Sequence, residues 1–365
     1  MPRRIAGQVR RVSMADVAAR AGVSGQTVSR VVNGSPRVDP ATRARVEAAM
    51  AELGYRPHRA ARALRTGRTH TIGLVVSTLA TVGNSRMLQA VSDAAASRGL
   101  ALVVVTLHAE VDGGIASAFE RLEDQGVDGV VVLNEATLLA RDVAPPEGLR
   151  LVVVDAPAED AAGPGSSAHP ATASPRNGRP GAGQAGAGQA GAGRTGTAQT
   201  DHAGGARAAT RHLIALGHTR IRHLAGPLGS YAAAERERGW REALENAGLE
   251  VAEPLRGAWT SGAGHTAAAL LDDAATAVFC ANDQMALGML RGLAERGLDV
   301  PADVSVVGFD DVPDARDYRP PLTTVRQDFD ALGEAAVSAL VDDSSGGGAV
   351  IPAQLVERAS TAPRR

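Results

Sequence analysis

The sequence predicts two architectures in one chain: an all-α helix-turn-helix head, then an α/β body of two Rossmann-like lobes. Three observations predict it. The first 68 residues carry short helical patterns punctuated by glycines. Beyond Thr69, apolar runs of strand length alternate with helical patterns. The two regions also differ in charge. Residues 1–68 hold fourteen arginines against four carboxylates, a net of +10, so the rest must carry −12 of the chain's total of −2. A positive head on an acidic body is the electrostatic footprint of a polyanion binder whose body stays off the polyanion. At 365 residues there is room for two or three domains.

In the head, Ser13 and Asp16 form a capping-box pattern ahead of Val17, Ala18 and Ala21, and Gly22 permits a sharp turn. A second helix starts at Ser24, packs Val28 and Val31 inward, turns Gln26, Ser29 and Arg30 outward, and ends at Asn33-Gly34. A third runs from Asp39-Pro40 through Val46, Ala49, Met50 and Leu53 to Gly54. Two short helices about a glycine turn, braced by a third, make a helix-turn-helix whose second helix fits the DNA major groove. There Gln26 can pair with adenine and Arg30 with guanine, while surrounding arginines meet phosphates.

In the body, TIGLVV, ALVVVT, DGVVVLN, RLVVVDAP, IRHLAG, AVFCAND and DVSVVGFDD read as strands. Residues 84–99, 111–125, 203–216, 230–247 and 284–297 read as helices. Short apolar strands separated by helices imply parallel sheets covered on both faces, with ligands beyond the strands' carboxyl ends. Residues 156–200 are rich in Pro, Gly, Ala and Ser, and are expected to be a disordered insert. Gly181, Gly183 and Gly186 in it match the spacing of a dinucleotide fingerprint but lack a preceding strand and following helix, so no nucleotide cofactor is expected.

DVAARAGVSGQTVSRVVNG with VEAAMAELGYRPHRAARAL closely resembles the head of the LacI/GalR repressor family. In the body the likeness is carried by LIALGHTRIRHLAGPLGS, ERERGW, ANDQMALGMLRGL, DVSVVGFDD and PPLTTVRQDFDALG. It implies a DNA-binding domain over 1–57, a hinge over 58–68, and a sugar-binding and dimerisation domain over 69–365 like that of periplasmic binding proteins. The implied DNA contacts are Ser24, Gly25, Gln26, Thr27, Ser29, Arg30, Asn33, Arg59, Ala61 and Leu64. Leu64 would wedge into the minor groove from a hinge helix over 58–66. That segment is shorter than the roughly 12–15 residues an isolated helix needs, so it would fold only on DNA. Gly25 stands where a family member carries tyrosine, so a different operator is expected.

The ligand residues implied by the resemblance are Asp155, Arg236, Trp259, Asn282, Asp310, Gln327 and Phe329. Asp, Asn, Arg and Gln suit sugar hydroxyls, and Trp and Phe the C–H face of a pyranose. The chain has only nine Phe, Tyr and Trp residues, so two among the expected ligand positions carry weight. Each also has a plainer reading. Asp155 and Asp310 could be turn residues, Asn282 a helix cap, Arg236 a solvated charge, and Trp259 and Phe329 core. Thr81 and Asn84 depart from the apolar wall of a family member and Ala232 replaces a serine, so a galactoside is expected first, with other sugars close behind.

The family implies a homodimer on a palindromic operator, released by a sugar inducer. The chain ends at LVERASTAPRR, without the leucine-rich terminal helix of a tetrameric member. Corepression, in which ligand strengthens DNA binding, stays open. A sugar-binding protein that ignores DNA is opposed by the attached head and by an N-terminus without the apolar core of an export signal. An enzyme using Asp155 and Asp310 as paired carboxylates has no nucleophile–base motif or metal cluster behind it. The single cysteine, Cys280, reads as a buried inert thiol and fits a reducing cytoplasm. No apolar run has membrane-spanning length.

Overall fold

The computed structural model describes residues 12–55, 67–107, 114–134, 136, 143, 146, 148–156, 195–342 and 348–364. Contacts divide the chain between Thr69 and His70 into two units.

In the first unit, α1 (Met14–Ala21), α2 (Gly25–Val32) and α3 (Pro40–Leu53) are set by their ends. Ser13 Oγ accepts from the Asp16 amide, and the Asp16 carboxylate accepts from the Ser13 amide at 2.8 Å, closing a capping box. Ser24 caps α2 through the Thr27 amide, and Asp39 caps α3 through the Thr42 amide with Pro40 in its first turn. Gly22, with φ 64°, supplies the left-handed turn between α1 and α2, where a side chain would be strained. Val17, Ala18, Val28, Val31, Val38, Val46 and Ala49 form the core, each buried valine contributing about 1.5–2 kcal/mol. The Arg20–Glu52 pair at 2.6 Å joins α1 to α3, but both side chains are half exposed and the bond adds little.

The second unit holds two parallel sheets. The first comprises β1 (Thr71–Val76), β2 (Ala101–Thr106), β3 (Gly129–Leu133), β4 (Arg150–Val154), β5 (Thr195–Thr200) and β11 (Ala349–Ile351), in the order β11-β5-β4-β3-β1-β2. Helices α4 (Val82–Ser97) and α10 (Phe329–Val341) cover one face through Met87, Val91, Leu332 and Val337 against Ile72, Leu74 and Val76. On the other face, α5 (Gly114–Asp124) buries Ile115, Phe119 and Leu122 against Val75, Val130 and Val132.

The second sheet comprises β6 (Ile221–Ala225), β7 (Leu255–Arg256), β8 (Ala277–Cys280) and β9 (Ser305–Val307), in the order β7-β6-β8-β9. Helices α6 (His202–Ala215) and α7 (Tyr231–Asn246) supply Leu213, Trp240 and Leu244 to one side. Helices α8 (Ser261–Ala269) and α9 (Asp283–Glu295) supply Ala268, Met285, Met289 and Leu293 to the other. A third sheet pairs β10 (Thr324–Arg326) antiparallel with β12 (Gln354–Val356). The chain crosses between lobes after β5, between β10 and α10, and between β11 and β12.

One expectation is corrected. Residues 195–200 are not the end of a disordered insert but strand β5, hydrogen-bonded between β4 and β11. TGTAQT has no apolar run, so pairing on both edges makes it a strand rather than its own propensity. Its small residues let α10 lie close: a Cβ on Gly196 would sit 3.1 Å from that of Ala339. At the other end of the segment, Ala156 is buried and its carbonyl accepts from Gln199 Nε2 at 2.6 Å. Residues 157–194, including the three fingerprint glycines, lie outside the described residues, as does the expected hinge helix with Arg59, Ala61 and Leu64.

Candidate functional site

On the head, Ser24, Gly25, Gln26, Thr27, Ser29, Arg30 and Asn33 all fall on α2 or its caps. The apolar positions Val28 and Val31 are drawn into the core, which leaves Gln26 and Arg30 exposed on the opposite side, one helical turn apart. The Ser24 and Thr27 hydroxyls bond each other at 3.0 Å, and Asn33 Nδ2 donates to Ser29 Oγ at 3.2 Å. These contacts fix the ends of the helix and leave its first turn turned outward.

In the body, Asp155, Arg236, Trp259, Asn282, Asp310, Gln327 and Phe329 line one cleft between the two sheets, with Thr81, Asn84, Asn134, Ser230 and Ala232 among its other walls. The space, counted to its open mouth, is about 470 Å³. Topology causes the convergence. Asp155 follows β4, Asn282 follows β8, Asp310 follows β9, and Gln327 with Phe329 sits at the crossing from β10 to α10. All are at the carboxyl ends of parallel strands or at a lobe crossing, where backbone stops pairing and side chains turn into the gap.

Backbone conformation marks the same place. Asn134, Asp155, Trp259 and Asp310 have φ of 46°, 53°, 63° and 115°, and all line the cleft. Left-handed backbone in residues with a Cβ is costly and is retained where it aims a side chain.

Arg236 is buried on α7, not solvated. Its Nη1 donates to the Ala281 carbonyl and its Nε to His202 Nδ1 at 3.3 Å, while its guanidinium carbon lies 3.9 Å from the Phe309 ring centroid and 5.5 Å from that of Trp259. Trp259 in turn rests on Gly226, where a Cβ would come within 2.3 Å of the indole. Asn282 is both a cap and a cleft residue: its Oδ1 accepts from the Met285 amide at 2.8 Å, and its Nδ2 donates to the Trp259 carbonyl at 3.1 Å. Phe329 combines core and wall, with the Arg86 guanidinium 5.8 Å from its ring centroid.

The two cleft carboxylates are tuned apart. Burial pushes the Asp155 carboxyl up, but His202, the Thr200 amide and Arg236 outweigh it and hold it below the ordinary value. For Asp310 burial prevails over Arg236 and Gln327, and its carboxyl is raised. Gln327 Nε2 donates to Asp310 Oδ1 at 2.7 Å. The arrangement offers converging donors and acceptors beside aromatic faces; among the described residues no His, Cys, Asp and Glu group could hold a metal.

Sequence reasoning missed four residues here. His202, Asn134 and Ser230 come to the cleft or directly behind it through strand ends and helix starts that no local pattern singles out. Asp283, adjacent to Asn282, is fully buried. It accepts from Thr324 Oγ1 and, at 2.8 Å, from the Val312 amide, so it ties α9 to the segment carrying Asp310. Burial, with the Asp310 charge, pushes its carboxyl well above the ordinary range. An acidic residue in the first turn of a helix ordinarily reads as solvated, so only the folded chain reveals it. Cys280 is buried, and burial raises its thiol.

Two family models match the chain: bacterial regulatory proteins of the lacI family over residues 13–58, and the periplasmic binding protein-like domain over residues 210–361. The lactose operon repressor of Escherichia coli K12 is 34% identical over 360 residues, covering 96% of this chain and 91% of that protein. A crystal structure of the lac repressor dimer bound to operator and the anti-inducer ONPF superposes with a TM-score of 0.78 at 33% identity, covering 97% of this chain and all of that one. A complex of the transcriptional regulator CelR with cellobiose gives 0.63 at 34% identity, covering 96% of this chain and all of that one. Identity at this level across both units, with the head and the cleft-bearing body in the same chain, leads to one conclusion: the protein belongs to the LacI family of bacterial transcriptional regulators, and its relatives are regulators rather than enzymes.

Proposed function

We propose that the chain is a sugar-responsive repressor that binds a palindromic operator as a homodimer and is released from it by a small pyranoside, a galactoside before others. The observation that carries the sugar reading is the convergence of Asp155, Arg236, Asn282, Asp310 and Gln327 with Trp259 and Phe329 in one cleft. Hydroxyl partners on several sides and aromatic cover fit a pyranose. On the head, Gln26 and Arg30 read base edges, Ser24, Thr27, Ser29 and Asn33 contact the operator from the same helix and its caps, and Gly25, at the start of that helix, leaves one base without a side-chain contact. Residues 1–57 serve as the DNA-binding domain, 58–68 as the hinge with Arg59, Ala61 and Leu64 on DNA, and 69–365 as the effector and dimer domain.

The inducer acts by binding the DNA-incompetent state more tightly, since equal affinity for both states shifts nothing. A second reading, a β-glucoside such as cellobiose, is favoured by the CelR likeness and by the polar groups Thr81 and Asn84 in the cleft wall. Thermal-shift measurements of the full chain against a sugar panel, followed by titration of each hit into an operator gel shift, test both. The expected outcome is stabilisation by a galactoside and loss of the shifted band. Stabilisation by cellobiose alone selects the second reading, a strengthened band selects corepression, and no stabilisation by any sugar overturns the assignment.

A further inference from the structure

His202 stands at the first crossing between the lobes, as the first residue of α6, with its side chain 1% exposed. Its Nδ1 accepts from Arg236 Nε at 3.3 Å, so the ring's own proton belongs on Nε2. Nε2 faces Asp155 Oδ1 at 3.1 Å, close but without the alignment of a regular hydrogen bond. Tyr231 meets the ring edge-on at 6.5 Å between centroids, and Phe309 lies tilted at 5.9 Å, so the ring is held on its remaining sides. It does not line the cleft. It lies behind two residues that do, one at the end of β4 in the first lobe and one on α7 in the second.

We propose that His202 is a positioning residue that sets the aim of Asp155 and Arg236 toward a shared ligand across the lobe boundary, acting through one tautomer with the proton on Nε2. The proposal rests on the cleft function proposed above. Histidine suits the place because one ring nitrogen accepts while the other donates. Lysine and arginine only donate, and an ionised carboxylate only accepts. A direct Asp155–Arg236 bond would engage both groups with each other; the intervening ring keeps them apart while fixing both.

The test has a ligand-free arm and a sugar arm, both on the full chain. Imidazole ¹⁵N spectra at neutral pH, with the His202 signals assigned by their loss in His202→Phe, should show a protonated Nε2 and an unprotonated Nδ1. Asp155→Asn should move the Nε2 signal. In the second arm, methyl β-galactopyranoside and cellobiose are titrated calorimetrically into wild type and His202→Phe. The sugar that binds wild type should bind His202→Phe about tenfold more weakly, with operator affinity unchanged. Partial recovery is expected in His202→Asn, whose side-chain oxygen replaces the Nδ1 acceptor.

A proton on Nδ1, an Nε2 signal indifferent to Asp155→Asn, or wild-type sugar affinity in His202→Phe overturns the proposal. If neither sugar binds wild type, the function proposed for the cleft fails for those sugars while the spectra still decide the tautomer. Should His202→Phe not fold, His202→Asn provides both the signal assignment and the affinity comparison.

Discussion

Arg236 Nη2 and Asp310 Oδ1 face each other at 3.5 Å in the cleft, each side chain only 5% exposed. The separation is long for a charge-assisted hydrogen bond, and each partner has closer company: Arg236 at the Ala281 carbonyl, Asp310 at Gln327. Each member is therefore also held by a neighbour of its own, and both line the cleft.

Arg236→Ala is expected to abolish the sugar response while leaving operator binding intact. Removing the cation strands Asp310, so the body should also lose about 3 kcal/mol of stability. Calorimetry with sugar, denaturant titration and an operator gel shift measure the three parts. An unchanged induction curve would count against a role for Arg236 in the cleft.

Gly226→Ala is expected to disable sugar binding without touching any polar cleft residue. The new methyl would collide with the Trp259 indole at 2.3 Å, and the ring must leave its seat. The other tryptophan, Trp240, is fully buried, so a red-shifted emission would report Trp259 entering solvent. Normal emission with normal affinity would show that the seat tolerates the methyl.

His223 predicts an acid-side loss of stability. It is fully buried, its Nδ1 bonding the Phe279 carbonyl at 2.8 Å and its ring stacked on Phe279 at 4.8 Å between centroids. Burial lowers its pKa from 6.5 to about 4. The unfolded chain then binds the proton more readily, so the contribution of His223 is fully present above pH 6.5 and is lost as the pH drops from there toward 4. Over that window the loss amounts to about 3 kcal/mol. Denaturant midpoints against pH should show the decline, and His223→Asn, which retains a donor for Phe279, should flatten it.

Operator affinity should fall steeply with salt, since residues 1–68 carry +10. A loss of about a thousandfold or more between 50 and 200 mM salt is expected if several phosphates are neutralised. Gln26→Ala should cost about 1–3 kcal/mol and relax preference at one base pair while leaving the salt slope intact. Fluorescence anisotropy on variant operators separates the two effects, and a flat salt response would argue against phosphate-led binding.

The head was legible because its signals are local. Ser13 with Asp16, Asp39 with Pro40, and Gly22 and Gly54 each act within one helical turn, so their meaning does not depend on the rest of the chain. The strands from TIGLVV to DVSVVGFDD were legible for a related reason. Continuous apolar runs of that length have to be buried, and alternation with helices leaves parallel sheets as the way to bury them.

Tertiary structure decided what depends on partners distant in sequence. TGTAQT became β5 because β4 and β11 flank it and α10 needs its small side chains, information that lies about 45 residues before it and 150 after it. His202 and Asp283 gained their places in the same way. A histidine after a cap and an aspartate opening a helix look solvated by themselves, and become buried only when Asp155, Arg236, Val312 and Thr324 close around them. The sequence by itself therefore determined the elements and the chemistry brought to the cleft, because capping and apolar patterning are short-ranged. Which polar side chains stand behind that chemistry and aim it was decided by folding, because desolvation and hydrogen-bond partnership exist only once distant segments meet.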